Sequence, residues 1–154
     1  MDDETPWYTA VVLPVLLGAA RRTYGRAIAT ALGEAGFTDM PRSGSRVVGG
    51  IARSGEPMRD VVKALGVSKQ AAGQLIDTLV LRGYVERLPD PEDRRRRIVG
   101  LTPRGADAAA VVRAAVEGVD AALEARVGAQ AVVEMRATVA ALVEMADPHF
   151  GTRF

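Results

Sequence analysis

The stretch from Val67 to Thr102, VSKQAAGQLIDTLVLRGYVERLPDPEDRRRRIVGLT, constrains this 154-residue chain more than any other. Ser68 stands where a helix N-cap belongs, and its hydroxyl can accept from the first-turn amides. Ala72, Leu75, Ile76, Leu79 and Val80 recur at three- and four-residue intervals, the spacing of a helix buried on one side. Gly83 stops that helix. Tyr84 to Leu88 then alternate as a strand does, Pro89-Asp90-Pro91-Glu92-Asp93 makes a stiff turn, and Arg94 to Arg97 follow directly. A second apolar run, Ile98 to Leu101, leads to Thr102-Pro103, a cap followed by proline at the first helical position. Helix, strand, charged tip and strand describe a recognition helix followed by a β-wing.

Just upstream, Met58, Val61, Val62 and Leu65 predict a short amphipathic helix ending at Gly66. Only a tight turn fits between it and Ser68, so the two helices form a helix-turn-helix. The core stripe of the second helix leaves Lys69, Gln70, Gly73, Gln74 and Asp77 outside. Gln70 and Gln74, four apart, project from one face. Glutamine can pair with adenine edges, while lysine and a helix N-terminus can hold phosphate. A solvated polar face is the bland alternative for these residues. For the four arginines the alternative is a solubilising loop, but such a run on a hairpin tip beside a helix-turn-helix favours a polyanion opposite. Asp93 would then orient a neighbouring guanidinium for the minor groove through a charge-assisted bond.

Charge agrees with this division. Residues 41–104 carry 13 Arg and Lys against 7 acids, whereas residues 1–40 carry 3 against 5 and residues 105–154 carry 4 against 7. The net charge of +1 therefore hides a basic centre between acidic flanks, as expected if the centre meets nucleic acid. Arg outnumbers Lys 18 to 2, so where the charge lies is better evidence than which residue carries it.

The flanks read as helices. From Trp7 to Leu32 the apolar spacing is helical, with Pro14 and Gly18 expected to kink the helix or split off its first turns. Gly33 and Gly36 end it. Pro41 leads into a short second helix with Gly44, Gly49 and Gly50, each costing about 1 kcal/mol relative to alanine. That segment is either held by tertiary contacts or serves as a compliant joint. A long helix follows from Pro103 to about Val127, with Ala109, Val112, Val116, Val119 and Leu123 on one side. Gly128 breaks it, and a last helix, Ala129 to Ala146, is apolar on more than one face. Such a terminal helix suggests a subunit interface, with burial inside one chain as the alternative.

Several function classes are excluded or weakened. With no cysteine there are no disulfides, thiolate metal sites or cysteine-based redox sensing, and a single histidine, His149, disfavours a zinc site. No cofactor and no metal is expected, and an enzyme is the weakest reading, since no phosphate-cradling glycine loop is present. No apolar run reaches the ~18 residues of a membrane span, and the acidic start Asp2-Asp3-Glu4 is the wrong sign for a signal peptide, so a cytoplasmic setting is expected.

Leu65-Gly66-Val67-Ser68-Lys69-Gln70, Leu79 to Arg87 (LVLRGYVER), Asp90-Pro91-Glu92-Asp93-Arg94-Arg95, and then Val99, Leu101-Thr102 and Gly105 together resemble the multiple antibiotic resistance regulator (MarR) family of winged-helix transcription factors. The motif-bearing part covers roughly residues 57–105. The fold implied is mainly α with a small β-wing. Residues 1–40 form an N-terminal dimerisation helix, 41–104 the winged helix-turn-helix, and 105–154 the C-terminal dimerisation helices. The resemblance implies a homodimer reading a pseudo-palindromic double-stranded DNA operator, usually as a repressor. DNA contacts would fall on Ser68, Lys69, Gln70 and Gln74, with Asp93 and Arg95 as the minor-groove pair beside Arg94, Arg96 and Arg97. A small aromatic or phenolic effector is also implied, and Trp7, Tyr8 and Tyr24 with Arg22 or Arg46 could line its pocket. Those residues serve equally well as core or dimer contacts. The three glycines of the second helix and Val62, where alanine is usual, depart from the family pattern.

Two other functions fit parts of the chain. An architectural DNA binder needs Arg94 to Arg97 but no base-reading face. A winged helix turned to protein contact would show no salt-sensitive DNA binding at all.

Overall fold

A computed structural model describes residues 6–54, 68–90 and 97–150. Its order is a 3₁₀ turn (Trp7–Ala10), α1 (Leu13–Glu34), α2 (Gly44–Ser54), α3 (Lys69–Leu81), β1 (Val85–Pro89), β2 (Arg97–Leu101), α4 (Pro103–Val127) and α5 (Ala129–Glu144). The expected short helix at Met58 to Leu65 lies outside the described residues.

Pro14 occupies the first turn of α1, where its missing N–H has no intrahelical partner to lose. The preceding residues are accordingly split off into the 3₁₀ turn, so Trp7 and Tyr8 do not belong to the first helix proper. At its other end, Gly36 takes φ +84°. Its amide bonds to the Gly33 carbonyl (3.1 Å) and that of Phe37 to the Leu32 carbonyl (2.8 Å). This pair of bonds is a Schellman motif, with Leu32 and Phe37 packed inward at either side of it.

Gly44 and Gly49 of α2 follow from close packing. A Cβ on Gly44 would lie 2.7 Å from the Met40 sulfur and 3.0 Å from a Leu79 methyl, and one on Gly49 would lie 3.3 Å from Val112. These contacts, together with buried Val47, Val48 and Ile51, seat α2 on the core and answer the helix cost of its glycines. Of the two readings of this segment, tertiary contact is the one its surroundings support.

Beyond α3, β1 and β2 pair antiparallel with Val85 opposite Leu101 and Pro89 opposite Arg97. Thr102 caps α4 by accepting from the Gly105 amide (3.1 Å), with Pro103 at the first helical position. The core draws on α1 (Leu32), α2 (Val47 and Val48), α3 (Ile76 and Leu79), the hairpin (Tyr84 and Val85) and α4 (Ala108 and Val112). Gly128, at φ +87°, turns the chain into α5, of which Val132 is the buried residue. No described helix is long and apolar enough to cross a membrane.

Candidate nucleic-acid interface

The face of α3 is set by its core stripe. Ala72, Ile76 and Leu79 are buried, with Leu75 and Val80 packed partly beside them. Gln70 and Gln74 are thereby left exposed on the opposite side, and Lys69 is exposed at the very start of the helix. Ser68 caps that start, its Oγ accepting from the Ala71 amide at 3.2 Å. Amides of the first turn, a lysine and two glutamines thus share one accessible surface. A Cβ on Gly73, beside Gln70 on the helix surface, would meet nothing within 4 Å, so that part of the helix carries no bulk. Asp77, one turn on, is bonded to Arg87 of β1, which ties the outer face of α3 to the hairpin.

The hairpin register puts Arg97 at the start of β2, directly across from Pro89. Asp93, Arg94, Arg95 and Arg96 lie outside the described residues, in the segment that joins the two strands. What the structure adds is the base of the wing. Gly83, at φ +69°, ends α3 in a second Schellman motif: its amide bonds to Val80 (2.9 Å) and that of Tyr84 to Leu79 (2.9 Å). From there the chain enters β1 with no intervening loop.

Sequence reasoning missed the side chains that hold this joint. Tyr84 is fully buried, and its hydroxyl donates to Asp39 Oδ1 at 2.5 Å. Arg104, in the first turn of α4, donates to the same oxygen (2.8 Å), to Tyr84 Oη (3.2 Å) and to the Arg82 carbonyl (2.6 Å). Its guanidinium also lies over the Tyr84 ring, 4.4 Å from the centroid. Arg82 in turn donates to the Asp39 backbone carbonyl. Phe37 packs at a tilt against Tyr84, with centroids 6.1 Å apart. Burial first, and then the bond to Asp39, push the Tyr84 hydroxyl up to about 12. The same bond, with Arg104 beside it, holds the Asp39 carboxyl below its usual range. Asp39 sits in an otherwise uninformative link, and only the partners brought by folding give it meaning.

The residues considered for an effector pocket do not converge. Trp7 and Tyr8 are exposed and stack edge-on against each other. Tyr24 instead faces an open cleft of about 360 Å³ between α1, α4 and α5, lined by Met135, Val139, Val143 and Phe150. There its hydroxyl donates to Asp120 (2.5 Å), which also accepts from Arg136 (2.7 Å). The bond to Asp120 is the chief reason the Tyr24 hydroxyl is raised above its ordinary range. Arg22 lies along α1 near Gly18. Arg46 reaches Ser43 (3.2 Å), and burial followed by the nearby charge of Arg21 lowers its pKa.

A capped helix with an exposed polar start, running without a loop into a two-stranded hairpin braced on a long helix, is a winged-helix arrangement. Residues 38–96 match the family model described as MarR family. Among curated relatives, multiple antibiotic resistance protein MarR of Salmonella typhimurium is 43% identical over 47 residues, 30% of this chain and 33% of that protein. The match thus spans about a third of the relative's length. S. aureus MepR in a DNA complex superposes with a TM-score of 0.71 at 16% identity, covering 89% of this chain and 99% of that one. A mutant E. coli MarR complexed with operator DNA gives 0.66 at 22% identity, covering 90% and 99%. Residues 38–96 are thus similar to the MarR family, and the chain has the fold of these solved MarR and MepR structures.

Proposed function

We propose that this protein is a dimeric, sequence-specific DNA-binding regulator of transcription that acts as a repressor. In this reading α3 enters the major groove, and the arginines from Arg94 to Arg97 reach the adjacent minor groove with Asp93 orienting Arg95. One observation carries it: Lys69, Gln70 and Gln74 lie exposed at the capped start of a helix whose other side is locked into the core. Arginine paired with the narrow minor groove, and glutamine with base edges, are the chemistry this layout offers.

Dimerisation is supported by the apolar surface left open at both ends of the chain. Val12, Leu13 and Val15 near the start of α1, and Val133, Leu142 and Met145 around α5, are all exposed. Two copies joined there would set two copies of α3 about one helical turn of DNA apart, roughly 34 Å. An effector with an anionic group, such as an aromatic acid, is supported by Arg21 and Arg46. Neither has an ion-pair partner among the described residues, and burial followed by the charge of Arg21 lowers the pKa of Arg46.

Fluorescence anisotropy with the gene's own upstream DNA and a random duplex, at about 150 mM salt, tests this reading. Upstream DNA is expected to bind at least roughly a hundredfold more tightly. Equal affinity for the two duplexes overturns it in favour of an architectural binder, and absence of salt-sensitive binding in favour of a protein-contact module.

A further inference from the structure

We infer that Asp39, in the link between α1 and α2, is a positioning residue that fixes the angle at which the recognition helix and the wing leave the long helix α4. The inference rests on the reading above that α3 and the wing bind DNA. Three elements meet at this one residue. Arg82 closes α3 and bonds to the Asp39 carbonyl, Tyr84 opens the hairpin and bonds to its carboxylate, and Arg104 begins α4 and bonds to the same oxygen. The ring of contacts is closed by Arg104, which also reaches the Arg82 carbonyl and the Tyr84 hydroxyl.

Each bond constrains a different motion about the α3–β1 joint. Gly83 carries the left-handed turn between α3 and β1, and a glycine alone resists rotation weakly. Asp39 supplies what glycine lacks, tethers on both sides of the turn. Truncating its side chain leaves the buried Tyr84 hydroxyl and Arg104 without their shared acceptor oxygen, and only the backbone bond from Arg82 remains.

The exposure of the cluster argues that its role is orientation more than stability. The Arg104 and Asp39 side chains are each about two-fifths exposed, and ion pairs so accessible to water contribute little to folding. Orientation is a stricter demand. A 13-residue helix is about 20 Å long, so a swing of roughly 10° moves its far end by about 3 Å, close to one base-pair step. In a dimer both joints must hold that tolerance together.

Two measurements on the full-length protein test this. Since the chain has no cysteine, spin labels can be placed only where wanted, at exposed Leu81 on α3 and Glu117 on α4. With labelled chains diluted into unlabelled ones, wild type is expected to give one narrow distance distribution, Asp39→Ala a broadened one, and Asp39→Asn, which keeps the acceptor oxygen, a narrow one. In parallel, upstream duplexes lengthened by one base pair between half-sites are compared with the native spacing by anisotropy. If Asp39→Ala reduces the competent pose to about a tenth, operator affinity falls about tenfold and the preference for native spacing narrows to about twofold. Asp39→Asn restores both.

A narrow, wild-type distribution for folded Asp39→Ala, or unchanged discrimination between spacings, overturns the proposal. Should Asp39→Ala fail to fold, Tyr84→Phe, which removes one of the bonds and keeps the buried ring, carries the same expectation at smaller size. The label distances need no DNA. A broadened distribution in Asp39→Ala, beside wild-type protein that binds upstream and random duplexes alike, sinks the DNA reading and leaves the positioning role standing.

Discussion

The joint between α3 and β1 and the outer face of α5 treat their side chains in opposite ways. At the joint a buried tyrosine has its hydroxyl bonded, two arginines have acceptors, and a Schellman turn closes the backbone. On α5, Val133 and Leu142 face outward, Met135 and Val139 stand half-open along the cleft beside Tyr24, and Val132 is the helix's buried residue. A self-satisfied region specifies a shape that one chain can hold. An exposed apolar face is the kind of surface that the proposed second copy would cover.

The largest effect expected inside the satisfied region comes from Gly105. A Cβ there would fall 1.8 Å from the Tyr84 carbonyl oxygen, a backbone atom with no rotamer to escape by. Gly105→Ala should therefore cost about 3 kcal/mol or more in urea unfolding, because the hairpin base must move off α4. A loss below about 0.5 kcal/mol, the scatter of surface substitutions, would mean the contact between Tyr84 and α4 is looser than described.

Substitution in the unsatisfied region should act on assembly instead. Val133→Glu with Leu142→Glu is expected to leave the unfolding midpoint of the single chain nearly unchanged, since both side chains are exposed within it. Sedimentation should show monomer in place of dimer, and operator affinity should fall by about a hundredfold as the second half-site contact is lost. Unchanged sedimentation would break the contrast between the two regions.

A smaller effect tests the joint through pH. With its hydroxyl raised to about 12, Tyr84 favours the folded state fully below the unfolded value near 10 and less as pH rises through 12. Asp39, held low, contributes above about pH 4 and loses its contribution on acidification. Neither group should tilt stability between pH 5 and 9. Wild type should lose stability relative to Tyr84→Phe between about pH 10 and 12; parallel curves for the two proteins would contradict the buried hydroxyl bond.

Smallest is Gly73→Ala on the exposed face of α3. With nothing within 4 Å of the added methyl, helix propensity should raise stability by about 1 kcal/mol, or roughly 2–4 °C in Tm. The same methyl should weaken operator binding a few-fold, because it projects beside Gln70. Stabilisation with tighter DNA binding would place the partner on some other face.

How much of this could be read from residue order differs between the same two regions. Local signals were explicit: Ser68 and Thr102 cap the helices they were expected to cap, and Gly83 and Gly128 end or break helices where expected. The strands fall within a residue of the alternating runs, and α5 stops at Glu144, two residues short of the apolar pattern. These features depend on neighbours close in sequence. The Asp39 cluster depends on partners 43 to 65 positions away, and nothing in a lone aspartate within a Thr-Asp-Met link announces them. Asp77 was legible as an outward residue but not as the partner of Arg87. Trp7 and Tyr8 failed to join Tyr24 for a local reason, Pro14, whose place in the first turn of α1 splits the preceding turn away.

The central claim is that the start of α3 reads base sequence. Its most direct test is selection of bound sites from a randomised duplex pool by wild type and by Gln70→Ala/Gln74→Ala, in parallel and at matched salt. Wild type should yield a two-fold-symmetric consensus, and the double variant should lose preference at one or two base pairs in each half-site while still binding with the salt dependence of its arginines. A consensus identical in both proteins would contradict the account, since the sequence would then be read by something other than α3.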